Sequence, residues 1–318
     1  MTASRSRHLV DPELAGLLDL FPTIALSEET LPAMRARQPL MPVDPAAIEQ
    51  VDLSRRTIPG PDGAPDLDIL VHSPRKPASA RPCIFHIHGG GYVGGSAEGV
   101  EAMLRPLAAS LDCVITSVNY RLAPETRFPG AVEDCYAALA WVFKNAADLG
   151  VDPTRIGVKG ESAGGGLAAA LALLARDRGE YKLAFQSLTY PMLDDRTCVG
   201  DQHPHTGEYI WTPHNNAFGW RALLGVEPGS EGVSPYAAPG RAESLAGLPP
   251  TFITTGSLDL FLEEDLEYAR RLVRDGVPCE LHVYPGGFHA FDIVPGAAVS
   301  AASRRDTRES LRRALYPG

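Results

Sequence analysis

The sequence lacks an apolar stretch long enough to cross a bilayer. Its most apolar helical run, Leu167 to Ala175, is far short of the about 20 residues that a membrane requires, and reads as a buried core helix. Cysteine is scarce and without pattern: Cys83, Cys113, Cys135, Cys198 and Cys279 form no C-x-x-C pair and no metal-like spacing. Free thiols in a reducing compartment are therefore expected. Positive charge is also in short supply. A formal net charge of −10 gives nucleic acid and anionic lipid the wrong sign of field and favours a neutral or cationic small substrate. Arg5 and Arg7 could open an export signal, but Asp11, Glu13 and Asp19 interrupt its apolar part, so a cytoplasmic protein is expected.

What is present is an alternation. Strand-length apolar runs lie at Leu67 to Val71, Cys83 to Ile87, Cys113 to Val118, Ile156 to Lys159, Phe185 to Tyr190, Thr251 to Thr255 and Glu280 to Tyr284. Helical patterns fall between them, near Glu98 to Ser110, Gly130 to Asp148, Gly164 to Arg178 and Glu263 to Asp275. Strands alternating with helices imply an α/β fold with a mostly parallel sheet covered on both faces, whose ligand sites lie at the carboxyl ends of strands. Two segments depart from this rhythm. Residues 1–50 read as a helical cap of short helices broken by Pro22, Pro32 and Pro39, with an apolar cluster of Leu17, Leu18, Leu20 and Phe21 that must cover something. Residues 193–248, within a catalytic domain of 51–318, form an insertion rich in Pro, Gly and aromatics that reads as cap and pocket wall, with one helix near Pro213 to Leu224.

Three loops carry chemistry. Gly160-Glu161-Ser162-Ala163-Gly164 matches G-x-S-x-G, directly after a strand and directly before a helix. A turn that tight lifts the serine hydroxyl to the sheet edge at a helix N-terminus, and the flanking glycines relieve crowding. His88-Gly89-Gly90-Gly91-Tyr92 also follows a strand, and its glycines allow backbone N–H groups to approach a developing oxyanion. A phosphate loop is disfavoured there because no Lys-Ser or Lys-Thr follows. A metal site on His86 and His88, which share a strand face, lacks a third ligand. His289 lies in a glycine-rich loop past the last strand. Ser, acid, His is the chain order of triads built on such an elbow, which places the acid after a strand between Ser162 and His289. Asp259 satisfies this. Its rivals are Asp194 and Asp195 after the preceding strand, and Glu263, Glu264 and Asp265 in a first helical turn.

Together these residues resemble the hormone-sensitive-lipase-like (family IV) bacterial esterases of the α/β-hydrolase fold, over roughly Pro82 to Phe291. Tyr120-Arg121-Leu122-Ala123-Pro124-Glu125 with Phe128-Pro129 looks like the family's structural signature. Two positions differ: Asp259 is followed by Leu260-Phe261 where Pro-Leu is common, and Glu161 stands where aspartate is common. The resemblance implies an eight-stranded sheet under a helical cap and a Ser162, His289, Asp259 triad. It also implies an oxyanion hole of Gly90, Gly91 and Ala163 N–H groups, Trp211 at the pocket, and a homodimer through the last strand's edge. Tyr92, next to the oxyanion glycines, is expected to crowd the same pocket. The implied reaction is hydrolysis of a small-molecule ester, with no metal or organic cofactor. Because residues 193–248 mix aromatics with Asp201, His203, His205, Glu208, Arg221 and Glu231 rather than forming a long apolar groove, short to medium acyl chains are expected. A lactonase, thioesterase or deacetylase would use the same triad, and a catalytically silent fold serving as a ligand receptor is the reading from another class.

Overall fold

Parallel strands buried on both faces need near-continuous apolar sequence, and the middle of the chain supplies it. The computed structural model describes residues 4–20, 24–36, 42–61, 63–78, 80–201 and 203–317. Among them, β1 (Val51–Ile58), β2 (Leu67–Pro74), β3 (Arg81–Ile87), β4 (Val114–Asn119), β5 (Val151–Glu161), β6 (Gln186–Thr189), β7 (Thr251–Gly256) and β8 (Cys279–Tyr284) form one eight-stranded sheet. Its order is β1-β2-β4-β3-β5-β6-β7-β8, antiparallel at β1/β2 and β2/β4 and parallel from β4 onward. β3 is buried along its whole length.

Around the sheet lie α1 (Ala15–Leu20), α2 (Leu31–Arg35), α3 (Pro45–Gln50), α4 (Glu101–Leu111), α5 (Gly130–Lys144), α6 (Ala163–Arg178), α7 (Pro213–Leu224), α8 (Leu262–Arg274) and α9 (Ala298–Leu315). Alternation along β3 divides the core. Cys83, Phe85 and Ile87 join the cluster that holds residues of α5 and α6, while Ile84 joins Leu104 of α4 and Leu311 and Leu315 of α9. α6 is apolar all round and buried from Ala163 to Ala175, as a central helix must be, and it ends at Gly179 in the left-handed conformation. α8 is the opposite case. It is amphipathic, with Glu263, Glu264 and Asp265 in its first turn and Arg271 and Arg274 in its last, each sign where the helix dipole favours it.

The sequence pattern missed β1 and α9. β1 is a polar edge strand in which only Val51 and Ile58 are buried, so its existence rests on pairing with β2 rather than on apolar alternation. α5 stops at Lys144, earlier than its pattern implies, because the Asn145 side chain donates to the Trp141 carbonyl and ends the helix. Pro32 does not break a helix. It occupies the first turn of α2, where its missing N–H costs nothing. Pro22, Pro39 and Phe21 lie outside the described residues, as do the side chains of Leu17 and Leu20. Leu14 and Leu18 share one apolar cluster with Phe288 and Phe291, the residues that flank His289 in sequence.

Candidate active site

At the end of β5 the chain reverses into α6 through a single residue. Ser162 takes φ 56° and ψ −124°, a region that costs a non-glycine residue about 1–3 kcal/mol and is held only where the surroundings enforce it. Here the enforcement is visible. Ser162 donates its N–H to Thr189 O at 2.9 Å, and its carbonyl accepts from Met192 at 3.0 Å. Gly164 packs so tightly under β3 that a Cβ would meet Ile87 O at 2.1 Å. Only glycine fits, which accounts for that half of the G-x-S-x-G pattern.

The turn aims the Ser162 hydroxyl at His289, with Oγ 2.9 Å from Nε2, and Nδ1 lies 2.9 Å from Asp259 Oδ2. A carboxylate only accepts, so Nδ1 carries the hydrogen and Nε2 faces the serine as acceptor. The three side chains expose 7%, 5% and 0% of their residues' surface, which keeps bulk water from competing for these bonds. Asp259 is itself held by the Phe261 N–H, which donates to Oδ1 at 3.0 Å. An imidazole so placed can take the hydroxyl's proton while the carboxylate keeps its tautomer.

Three of the rival acids are committed elsewhere. Asp194 caps a 3-10 turn and pairs with Arg196, and Asp195 is buried against Arg241 and accepts from Gly229 N–H. Glu264 accepts from Leu193 N–H and from the Thr197 hydroxyl, and burial pushes its carboxyl well above the usual range. The two histidines of the disfavoured metal site are likewise occupied: His86 lies between Ser117 and Glu161, and His88 turns to Gly89 O. Burial pulls the His88 imidazole down to about 4, so the ring is neutral near neutral pH. It stacks on Tyr120, whose hydroxyl donates to His88 O at 2.9 Å, tying the Tyr120-Arg121 signature to the glycine loop.

Among the described residues, the N–H groups of Gly90 and Gly91 in that loop take part in none of the turn hydrogen bonds, and neither does that of Ala163, the first residue of α6. Trp211 lies over Gly91, and Gly219 of α7 meets the Gly91 carbonyl from the same side. Three rings surround the His289 imidazole: Tyr190 at 4.7 Å, Phe261 at 5.3 Å and Trp211 at 6.2 Å between centroids. Tyr190 and Phe261 had no distinguishing sequence signal beyond their positions beside the β6 and β7 loops. Tyr92 meets Trp220 rather than His289, and its hydroxyl donates to Met192 O at 3.0 Å. A cavity lined by Phe185, Gln186, Thr251 and Arg313 lies at the opposite, amino ends of the strands and includes none of the three.

With this geometry established, comparison with known proteins decides the family. A family model for the alpha/beta hydrolase fold matches residues 84–293. The chain belongs to that family. It is a carboxylesterase of the hormone-sensitive-lipase-like group. It is 35% identical over 316 residues to carboxylesterase NlhH of Mycobacterium tuberculosis, with 98% of each chain covered. Among solved structures, a bacterial heroin esterase superposes with a TM-score of 0.88 at 39% identity, covering 97% of this chain and 99% of the other. Esterase LipW of Mycobacterium marinum gives 0.83 at 31% identity, with 98% of each chain covered. Among the esterase's described residues, no helix is long and apolar enough to cross a membrane, and all five cysteines are free.

Proposed function

We propose that this esterase hydrolyses small-molecule esters with short to medium acyl chains, roughly two to eight carbons, through an acyl-enzyme on Ser162. His289 takes the serine proton as the hydroxyl attacks the ester carbonyl and returns it to the leaving alcohol, and Asp259 orients and stabilises the imidazolium. Water then releases the acid by the same steps. The N–H groups of Gly90, Gly91 and Ala163 receive the oxyanion, each contributing roughly 10²- to 10³-fold in rate. The unbroken hydrogen-bonded series from Ser162 to Asp259 carries this reading.

The acyl limit follows from Trp211, which closes over Gly91, while Tyr92 shapes the loop from behind, its ring against Trp220. Residues 1–50 and 193–248 act together as a cap on the catalytic domain 51–318. Asn215 at the start of α7 bonds Leu26 N–H and Ile24 O, and Arg35 donates to Val93 O beside the glycine loop. The free thiols fit a reducing cytoplasm. A homodimer would form along the outer edge of β8, which among the described residues pairs with β7 alone.

Two measurements test the reading: fluorophosphonate labelling of Ser162, and kcat/KM across p-nitrophenyl esters from acetate to palmitate. Labelling with a maximum at short to medium chains is expected. A profile climbing to palmitate, or activation at an oil interface, would indicate a lipase. An unlabelled Ser162 would leave a ligand-binding fold.

A further inference from the structure

Beneath the two loops runs a row of buried polar side chains that the chemistry of ester hydrolysis does not use. His86 of β3 stands in register with Ser117 of β4 on one side and with Lys159 of β5 on the other. Glu161, two residues past Lys159, faces the same side, the side on which Ile84 and Ile115 pack toward α4 and α9. All four polar residues are buried. Ser117 Oγ lies 2.9 Å from His86 Nδ1, His86 Nε2 lies 2.8 Å from Glu161 Oε2, and the other Glu161 oxygen pairs with Lys159 Nζ. Burial opposes charge on Glu161, yet Lys159 and His86 together hold its carboxyl well below the usual range.

A buried ion pair is a weak source of stability, because desolvation cancels much of the attraction. Its location matters more. Glu161 immediately precedes Ser162, and its carbonyl oxygen lies against Gly89, where a Cβ would come within 2.8 Å. His86 stands three residues before Gly89 on the strand that delivers the glycine loop. The Glu161–His86 bond therefore ties the strand ending in the serine to the strand ending in the oxyanion N–H groups.

We propose that Ser117, His86, Glu161 and Lys159 form a positioning clamp that sets the distance between Ser162 and the N–H groups of Gly90 and Gly91; this rests on the serine-esterase reading above. Lys159 keeps Glu161 ionised, so that it accepts from His86, and Ser117 fixes the far edge of the ring. The four residues touch no substrate. They act through the relative placement of attacking oxygen and oxyanion donors, where a shift of about 1 Å costs about 10²-fold in rate.

The test compares variants that leave no buried ion unpaired. Active sites are counted by fluorophosphonate titration, and kcat and KM for p-nitrophenyl acetate are expressed per titrated site, so that loss of folded protein is not read as loss of catalysis. Lys159→Met/Glu161→Leu should lower kcat by about 10- to 100-fold with KM within about threefold. Lys159→Met/Glu161→Gln, which retains a hydrogen-bonding partner for His86, should recover most of that loss. Ser117→Ala, a change small enough for the fold to tolerate, should lower kcat by about three- to fivefold. The clamp is overturned by an undiminished kcat per site in the Leu variant, or by a Gln variant as impaired as the Leu one. If the Leu variant does not fold, wild-type kcat in Ser117→Ala overturns it. Wild-type protein that the fluorophosphonate leaves unlabelled sinks the esterase reading and the clamp together, whereas labelled wild type with indifferent variants sinks the clamp alone.

Discussion

Gly91 and Trp211 meet so closely that a Cβ on the glycine would stand 2.1 Å from the indole edge. Gly91 also has φ 62°, so a larger residue there is strained both by its backbone and by its neighbour. Gly91→Ala should lower kcat/KM for p-nitrophenyl butyrate by about 10²-fold or more, the scale of a displaced oxyanion donor. An unchanged far-UV circular dichroism spectrum would separate this from unfolding. Near-wild-type turnover would remove Gly91 from the oxyanion site.

In the proposed reading the same contact makes Trp211 the wall of the acyl pocket. Each buried CH₂ is worth about 0.8 kcal/mol, so space opened there should reward longer chains. In Trp211→Ala, kcat/KM for the decanoate ester relative to the acetate should rise about tenfold. An unshifted chain-length profile would place the acyl group elsewhere.

Asp259 and Asp195 are both fully buried acids with opposite expected behaviour. Asp259→Asn should lower kcat by about 10⁴-fold through the wrong imidazole tautomer, with little change in stability. Asp195→Asn leaves Arg241 without its counter-charge and should cost about 3 kcal/mol of stability while sparing kcat. Kinetics and urea unfolding of the two variants check this, and the reverse pattern would reassign the acid. Ser162→Ala should abolish turnover altogether.

His72 offers a pH dependence unrelated to the site. Burial pulls its imidazole down to about 4, partly opposed by its contact with Ile115 O, so the folded chain keeps the ring neutral. The unfolded chain takes up the proton near the ordinary value of about 6.5. Between these two values the unfolded state binds more protons, so stability is fully present above about pH 6.5 and falls on acidification toward pH 4. The loss reaches about 3 kcal/mol. His72→Leu should flatten the urea-midpoint curve over that window. A curve as steep as the wild type's would assign the acid sensitivity to other groups.

The three loops were legible because their demands are local. A strand, a tight turn and a helix within a dozen residues dictate Gly164, and the same locality exposes Gly89-Gly90-Gly91 and the loop of Asp259. β1 was not legible, since a polar edge strand shows no apolar alternation and is defined by its partner's hydrogen bonds. The end of α5 depended on one side chain, Asn145, turning back onto a carbonyl. Pro32 carried the usual signature of a break, yet at a helix start the same ring geometry is favourable.

By itself, then, the sequence determined the parallel sheet and the elbow, because both follow from short-range sterics and periodicity, and chain order pointed to the acid and histidine that meet Ser162. Only the tertiary structure decided what depends on the packing of distant strands. Ser162 and His289 are 127 residues apart in the chain, and their 2.9 Å contact exists because β5 and β8 end at the same edge of one sheet. The same holds for Trp211 over Gly91, and for His86 between Ser117 and Lys159. In each case neither residue's neighbours in the chain specify the partner: the register of the sheet sets the contacts of His86, and the packing of the segment before α7 on the glycine loop sets Trp211 over Gly91.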